Sequence, residues 1–129
     1  MSAELLQRVA GHIVTDGGLL GAYTLRYFRW TDADLRGSGN VALFRMTGTA
    51  GQVTRQAQFL DVSLYLLSPP DRASAADADM LAVLRYLRDD YAAADVFNIV
   101  PLASYTGPTY LENGRAMFEM VLRTGSTDH

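Results

Sequence analysis

The chain has 129 residues, 49% hydrophobic and 19% charged, with a formal net charge of −3 and no cysteine. That length suits one domain able to bury about two-thirds of its unfolded surface, the balance is ordinary for a soluble globular protein, and the lack of cysteine excludes disulfides, thiolate chemistry and thiolate metal sites. Residues 1–70 hold six arginines and five acids, net +1, and residues 71–129 hold five arginines and nine acids, net −4.

No basic patch of the kind nucleic-acid binders carry is present, so nucleic acid is not expected as the main partner, nor is sequence-specific contact with it. All eleven basic residues are arginine, a choice that genomic base composition alone produces and that also suits bidentate contacts between proteins. No apolar run approaches the roughly 18–20 residues of a membrane span. The opening MSAELLQRVAGH lacks the basic start and long apolar centre of a secretion signal. The expectation is a protein made in a cytoplasm and remaining there or in a particle assembled there.

Residues 2–14 read as a short amphipathic helix with Leu5, Leu6, Val9 and Ile13 on one side. His12 lies near that stripe and is expected to be a boundary residue with a satisfied hydrogen bond. Thr15-Asp16-Gly17-Gly18 breaks the helix. Leu19–Trp30, rich in aromatics and alternating, predicts a strand bent near Gly21. Thr31–Asn40 is polar and glycine-rich, a loop with room for one helical turn capped by Thr31.

Val41–Thr47 and Val53–Leu67 predict an antiparallel hairpin around a flexible tip, Gly48–Gln52. In its second strand Leu60, Val62, Leu64 and Leu66 point one way. Phe59, Asp61, Ser63, Tyr65 and Leu67 point the other, a mixed face that something must partly cover. Pro69 and Pro70 end the ladder because neither donates a backbone hydrogen bond. A helix to about Tyr91 follows, with Met80, Val83, Leu84, Leu87 and Tyr91 in one stripe. Asp71 and Ser74 read as its caps, and Asp71, Asp77 and Asp79 as charges suited to its positive end.

Val96–Leu102 predicts a strand that Pro101 confines to an edge or a bulge, and Gly107-Pro108 reads as a break. Asn113-Gly114 is a strong hairpin signal. Arg115–Arg123 is the last strand, with Ala116, Phe118, Met120 and Leu122 on one face, and Gly125–His129 reads as a disordered tail. Together these elements predict an α+β fold in one domain spanning residues 1–129. Its sheet is mixed but mostly antiparallel, with one long amphipathic helix packed on it and a short N-terminal helix.

Chemistry-bearing patterns are sparse. Gly37-Ser38-Gly39-Asn40-Val41-Ala42 matches a dinucleotide fingerprint as a string, but the mechanism needs a helix to follow and the sequence predicts a strand. The two histidines, His12 and His129, give no triad. Asp32-Ala33-Asp34 begins like a calcium loop, yet Leu43 stands where the bidentate glutamate belongs. The pairs Asp77/Asp79 and Asp89/Asp90 suit a solvated helix face. No catalytic, cofactor or metal residue is assigned, and an enzyme is not expected. What remains is surface: tyrosine, arginine and glycine-rich hairpin tips point to contacts between subunits, while a monomer with an extra layer over the long strand's second face fits the composition equally well. Arg45, Gly48, Gly51 and Arg55 are the candidate interface residues.

The order of elements resembles the tail terminator proteins of long-tailed bacteriophages. The likeness is most specific in QFLDVSLYLLSPPDRASAADADMLAVLRYLRD, similar to that family's long strand, Pro/Asp connection and helix, and in RAMFEMVLRT, similar to its last strand. The resemblance implies a virion protein assembled in the host cytoplasm: a homo-hexameric ring at the head-proximal end of the tail tube. Its implied partners are copies of itself, the tail tube protein and a head-closure or connector protein. The family carries no diagnostic site motif, and residues 31–40 depart from its pattern. The alternatives are another virion ring protein (a head-closure subunit or the tube protein itself) and a small α+β ligand-binding domain or enzyme.

Overall fold

The computed structural model describes residues 2–46, 57–90, 92–93 and 97–127. The N-terminal segment is a helix, α1 (Ser2–Gly11), that runs on into a π-helical turn at His12–Asp16. Leu6, Val9 and Ile13 are buried in the core, as their spacing predicts, with Ala10 beside them and Leu5 partly buried. Gly17 ends the turn where a Cβ would lie 2.7 Å from the Ile13 carbonyl and 2.9 Å from the Tyr86 ring, so only glycine allows this close approach. His12 is buried; its Nε2 donates to the Asp90 carbonyl at 2.6 Å and its Nδ1 lies 3.4 Å from Asp16 Oδ2.

The strand expected at Leu19–Trp30 is much shorter. β1 covers Thr24–Tyr27, because Leu20 at φ 58° and Phe28 at φ 78° turn the chain out of extended geometry on either side. The helical turn in the next loop is present as α2 (Asp32–Arg36), with Thr31 and Asp34 forming a reciprocal capping box. β2 (Val41–Met46) then runs parallel to β1 and antiparallel to β3 (Ala57–Leu67). The intervening tip, Gly48–Gln52, and residues 53–56 lie outside the described residues.

After β3, Pro69–Arg72 forms a turn in which the Arg72 amide donates to the Pro69 carbonyl at 3.2 Å and Asp71 takes φ 62°. This corrects the expected capping. α3 (Ala73–Asp89) has Arg72 at its N-cap, no side-chain cap bond and no acid in its first turn. Asp71 is used by the turn, Ser74 lies inside the helix, and Asp77 and Asp79 accept hydrogen bonds from Tyr105 and Tyr23 at 2.8 and 2.7 Å. Of the expected stripe of α3, Met80, Val83 and Leu87 are buried and Leu84 packs beside them, joined by Ala76; Tyr91 lies outside the described residues.

Two short strands, β4 (Ala92–Ala93) and β5 (Phe97–Pro101), precede β6 (Thr106–Tyr110) and β7 (Ala116–Thr127). Gly107-Pro108 therefore does not end a strand; it lies within β6 at a register irregularity. The Asn113-Gly114 turn joins β6 to β7, with Gly114 at φ 85° as the turn demands. The expected tail is corrected over its first three residues; Asp128 and His129 lie outside the described residues. Gly125–Thr127 continue β7, pairing with Phe59, Gln58 and Ala57 of β3, and Gly125 and Ser126 pair with β5 on the other side.

The seven strands form one sheet in the order β1-β2-β3-β7-β5-β4, with β6 also on β7. β5 and β6 share one side of β7, taking Leu122–Ser126 and Ala116–Glu119 respectively. Both helices cover the same face. There Ala42, Phe44, Val62, Leu64, Leu66, Phe118, Met120 and Leu122 meet α1 and α3 in a continuous core. This is the α+β architecture the apolar alternation predicts.

Among the described residues, the other face is covered at one end only. Leu43, Leu67 and Arg115 belong to it by alternation, yet all are fully buried, because residues 28–40 fold back over them. Trp30 meets Tyr65 edge-on, ring centroids 6.3 Å apart.

Arg115 fastens this excursion. Its Nε donates to the Ser68 carbonyl at 3.0 Å, Nη1 to the carbonyls of Asp34 and Gly37, and Nη2 to that of Gly39. Asn113 adds a hydrogen bond from Nδ2 to the Leu35 carbonyl at 3.0 Å. One cation thus satisfies a row of backbone acceptors that a glycine-rich loop cannot satisfy itself.

Candidate functional site

Beyond the excursion, the face opposite α1 and α3 stays open among the described residues as a groove of about 490 Å³. Its floor comes from β2, β3 and β7, whose outward positions here are Arg45, Asp61, Ser63, Tyr65, Glu119 and Val121, all but the last polar. Its wall is the stretch between β5 and β6. Pro101 pairs with Leu122 and Thr106 with Glu119. Four residues, 102–105, thus stand opposite two on β7 and loop outward.

Cross-strand register builds the groove's polar pattern. Asp61 is directly opposite Arg123, and the two form a bidentate pair, Nε to Oδ1 at 2.9 Å and Nη2 to Oδ2 at 3.1 Å. The carboxylate is buried while the guanidinium is half exposed, and the pairing raises the arginine's pKa. Tyr65 is opposite Glu119; desolvation first, then the hydrogen bond to Glu119, pushes the phenol's pKa above its usual value. Ser63, also buried, donates to Glu119 Oε2 at 3.2 Å. Arg45 stands opposite Ser63 and is exposed; among the described residues no carboxylate lies within ion-pair distance of it.

Of the four candidate interface residues, Arg45 lies in this groove. Gly48, Gly51 and Arg55 lie outside the described residues, so the structure does not relate them to it. The other contributors were visible in sequence only as the mixed second face of the long strand. The bulge at 102–105 gave no signal beyond Pro101. Among the described residues, no group of three or more histidine, cysteine or acidic side chains is arranged to hold a metal ion. The fingerprint-like stretch 37–42 leads into β2 rather than a helix, and its carbonyls serve Arg115. Asp34, the calcium-loop candidate, instead pairs with Arg26 at 2.9 Å and caps α2. What the groove offers is a fixed set of donors and acceptors over a rigid floor, the equipment of a binding surface.

No helix among the described residues is long and apolar enough to cross a membrane. No curated protein matches the chain. A family model does: that of phage tail termination proteins matches residues 3–128. With nearly the whole chain matched, the protein belongs to the phage tail termination family and has a structural role in tail assembly as a component of the virion.

Proposed function

We propose that this chain, folding as a single domain, is a capping subunit that acts by binding and without catalysis. Copies close into a hexameric ring on the head-proximal end of the tail tube. The ring occupies the growing edge, offers no equivalent edge to further tube protein, and presents a joining surface to the head-closure or connector protein. The observation that carries this reading is the family match over residues 3–128. The polar groove supports it, because Arg45 there has a charge that the described part of the monomer leaves unpaired. Capping requires that the ring hold a completed tube end more tightly than tube subunits compete for it.

Electron microscopy of lysates from a phage lacking the gene tests the proposal. Tubes growing past normal length and unable to join heads are expected, with both defects corrected by the gene supplied in trans. Tails of normal length, separate from heads, would instead identify a head-closure subunit. Loss of tubes altogether would identify the tube protein.

A further inference from the structure

Two features on opposite edges of the sheet match in shape and charge. Among the described residues β1 forms one edge, pairing with β2 alone. Immediately after it, Phe28 is held at φ 78°, its amide donating to the Phe44 carbonyl at 3.0 Å. This is a strained conformation for a large side chain, and it leaves the residue 48% exposed. Arg29 beside it is exposed too.

At the other edge β4 covers only Phe97 and Asn98 of β5. Beyond them, Leu84, Leu87 and Arg88 of α3 and Val100, Pro101 and Ala103 enclose an almost wholly apolar cleft of about 370 Å³. Val100 is 44% exposed there. A cavity of about 150 Å³ already holds benzene, so a phenyl ring fits. Asp89 and Asp90, both exposed, end α3 next to the cleft, opposite in sign to Arg29. Arg88 lines the cleft, and its guanidinium over an inserted ring would add a cation–π contact.

We propose that copies of this chain join head to tail, Phe28 of one copy seated in the cleft between α3 and β5 of the next and Arg29 facing Asp89 and Asp90. The proposal rests on the ring reading above and names the surface that makes the ring. Knob and socket sit on opposite edges, so each contact leaves one of each free, and such a contact propagates until it closes.

The chain has no cysteine, which makes cross-linking a clean test. A phage lacking the gene is complemented with a chain carrying Asp32→Cys and Asn98→Cys, both exposed and neither part of the proposed contact. Its purified tails, treated with a short bis-maleimide, should yield a ladder of covalent multimers, and either single variant should yield none. Several copies per tail without a ladder would overturn the Phe28 contact while leaving the ring intact. One copy per tail would overturn the ring reading and the contact with it. Adding Phe28→Gly relieves the left-handed strain, so the free variant should melt no lower than its parent while the ladder falls about tenfold or more, as for loss of an aromatic anchor. Val100→Asp, at an exposed position of the socket, should do the same from the other side. A ladder of undiminished intensity in either variant would overturn the proposal.

Discussion

Replacing Arg115 with methionine removes the guanidinium's donors from the junction between the sheet and the 28–40 excursion, leaving the Asn113 bond to Leu35, while keeping much of the side chain's length. Four carbonyls lose their partner. Those of Ser68 and Asp34 are bonded in a fully buried setting, and each buried acceptor left unsatisfied costs about 1–3 kcal/mol. Those of Gly37 and Gly39 are partly exposed and recover water. Against the loss stands the relief of a buried cation, whose desolvation lowers the guanidinium's pKa. The net expectation is a destabilisation of about 2–4 kcal/mol, a large part of the ~5–15 kcal/mol that holds a domain together.

The assay is built into the chain. Its single tryptophan, Trp30, lies on the excursion, so its fluorescence follows the excursion in urea while far-ultraviolet circular dichroism follows the helices and sheet. In Arg115→Met the fluorescence transition should move to lower urea ahead of the circular dichroism. Arg115→Lys should fall between, since one ammonium cannot span four carbonyls. Coincident transitions with a loss below about 0.5 kcal/mol, the size expected of an unremarkable surface site, would refute the assignment of Arg115 as the fastening.

Two further expectations follow from the core and from the capping box. Leu64 is fully buried between Phe44 and Met120, so Leu64→Ala should cost about 2–5 kcal/mol in urea unfolding, and a loss near zero would remove it from the core. The hydrogen bond from Arg26, aided by Thr31, holds the Asp34 carboxyl at about 2 against a usual 3.8. A carboxylate whose folded pKa lies below its unfolded one contributes fully above the unfolded value and loses that contribution as pH falls through the folded one. Stability of the parent should therefore drop between about pH 4 and 2 more steeply than that of Asp34→Asn. Superimposable acid profiles would refute the linkage.

Apolar periodicity was a reliable guide wherever burial on one face decided the outcome. The stripes of α1 and α3, the inward leucines of β3 and the alternation of β7 all follow from one-sided burial, and the α+β class follows from them. The failures share a different cause. β1 is shorter than its aromatic content suggests because Leu20 and Phe28 adopt backbone angles their side chains disfavour, fixed by contacts distant in sequence. Asp71 was legible as a cap but is claimed by the turn after Pro70. Gly125–Thr127 has a tail's composition, yet strands on both sides supply its hydrogen bonds. Arg115 shows no sequence sign of burial, because the acceptors that hold it are main-chain carbonyls, which carry no residue signature. In the groove, Arg45 was legible as an arginine at a hairpin base. Its neighbours became a site only through register, which aligns Asp61 with Arg123 and Tyr65 with Glu119.

β7 has one more consequence, and it concerns time. It comes later in the chain than every strand it joins, with β3 on one side and β5 and β6 on the other. During synthesis at about 5–20 residues per second, β1, β2 and β3 are complete well before β7 exists. Until it arrives, the bare edge of β3 presents AQFLDVSLYLL, a long apolar segment of high strand propensity, to whatever other chain is near. In an infected cell many copies are translated together, so this interval favours pairing between nascent chains over folding of each. Temperature-sensitive assembly defects should accordingly arise from substitutions that weaken β7 pairing, even at positions far from any surface that meets another virion protein.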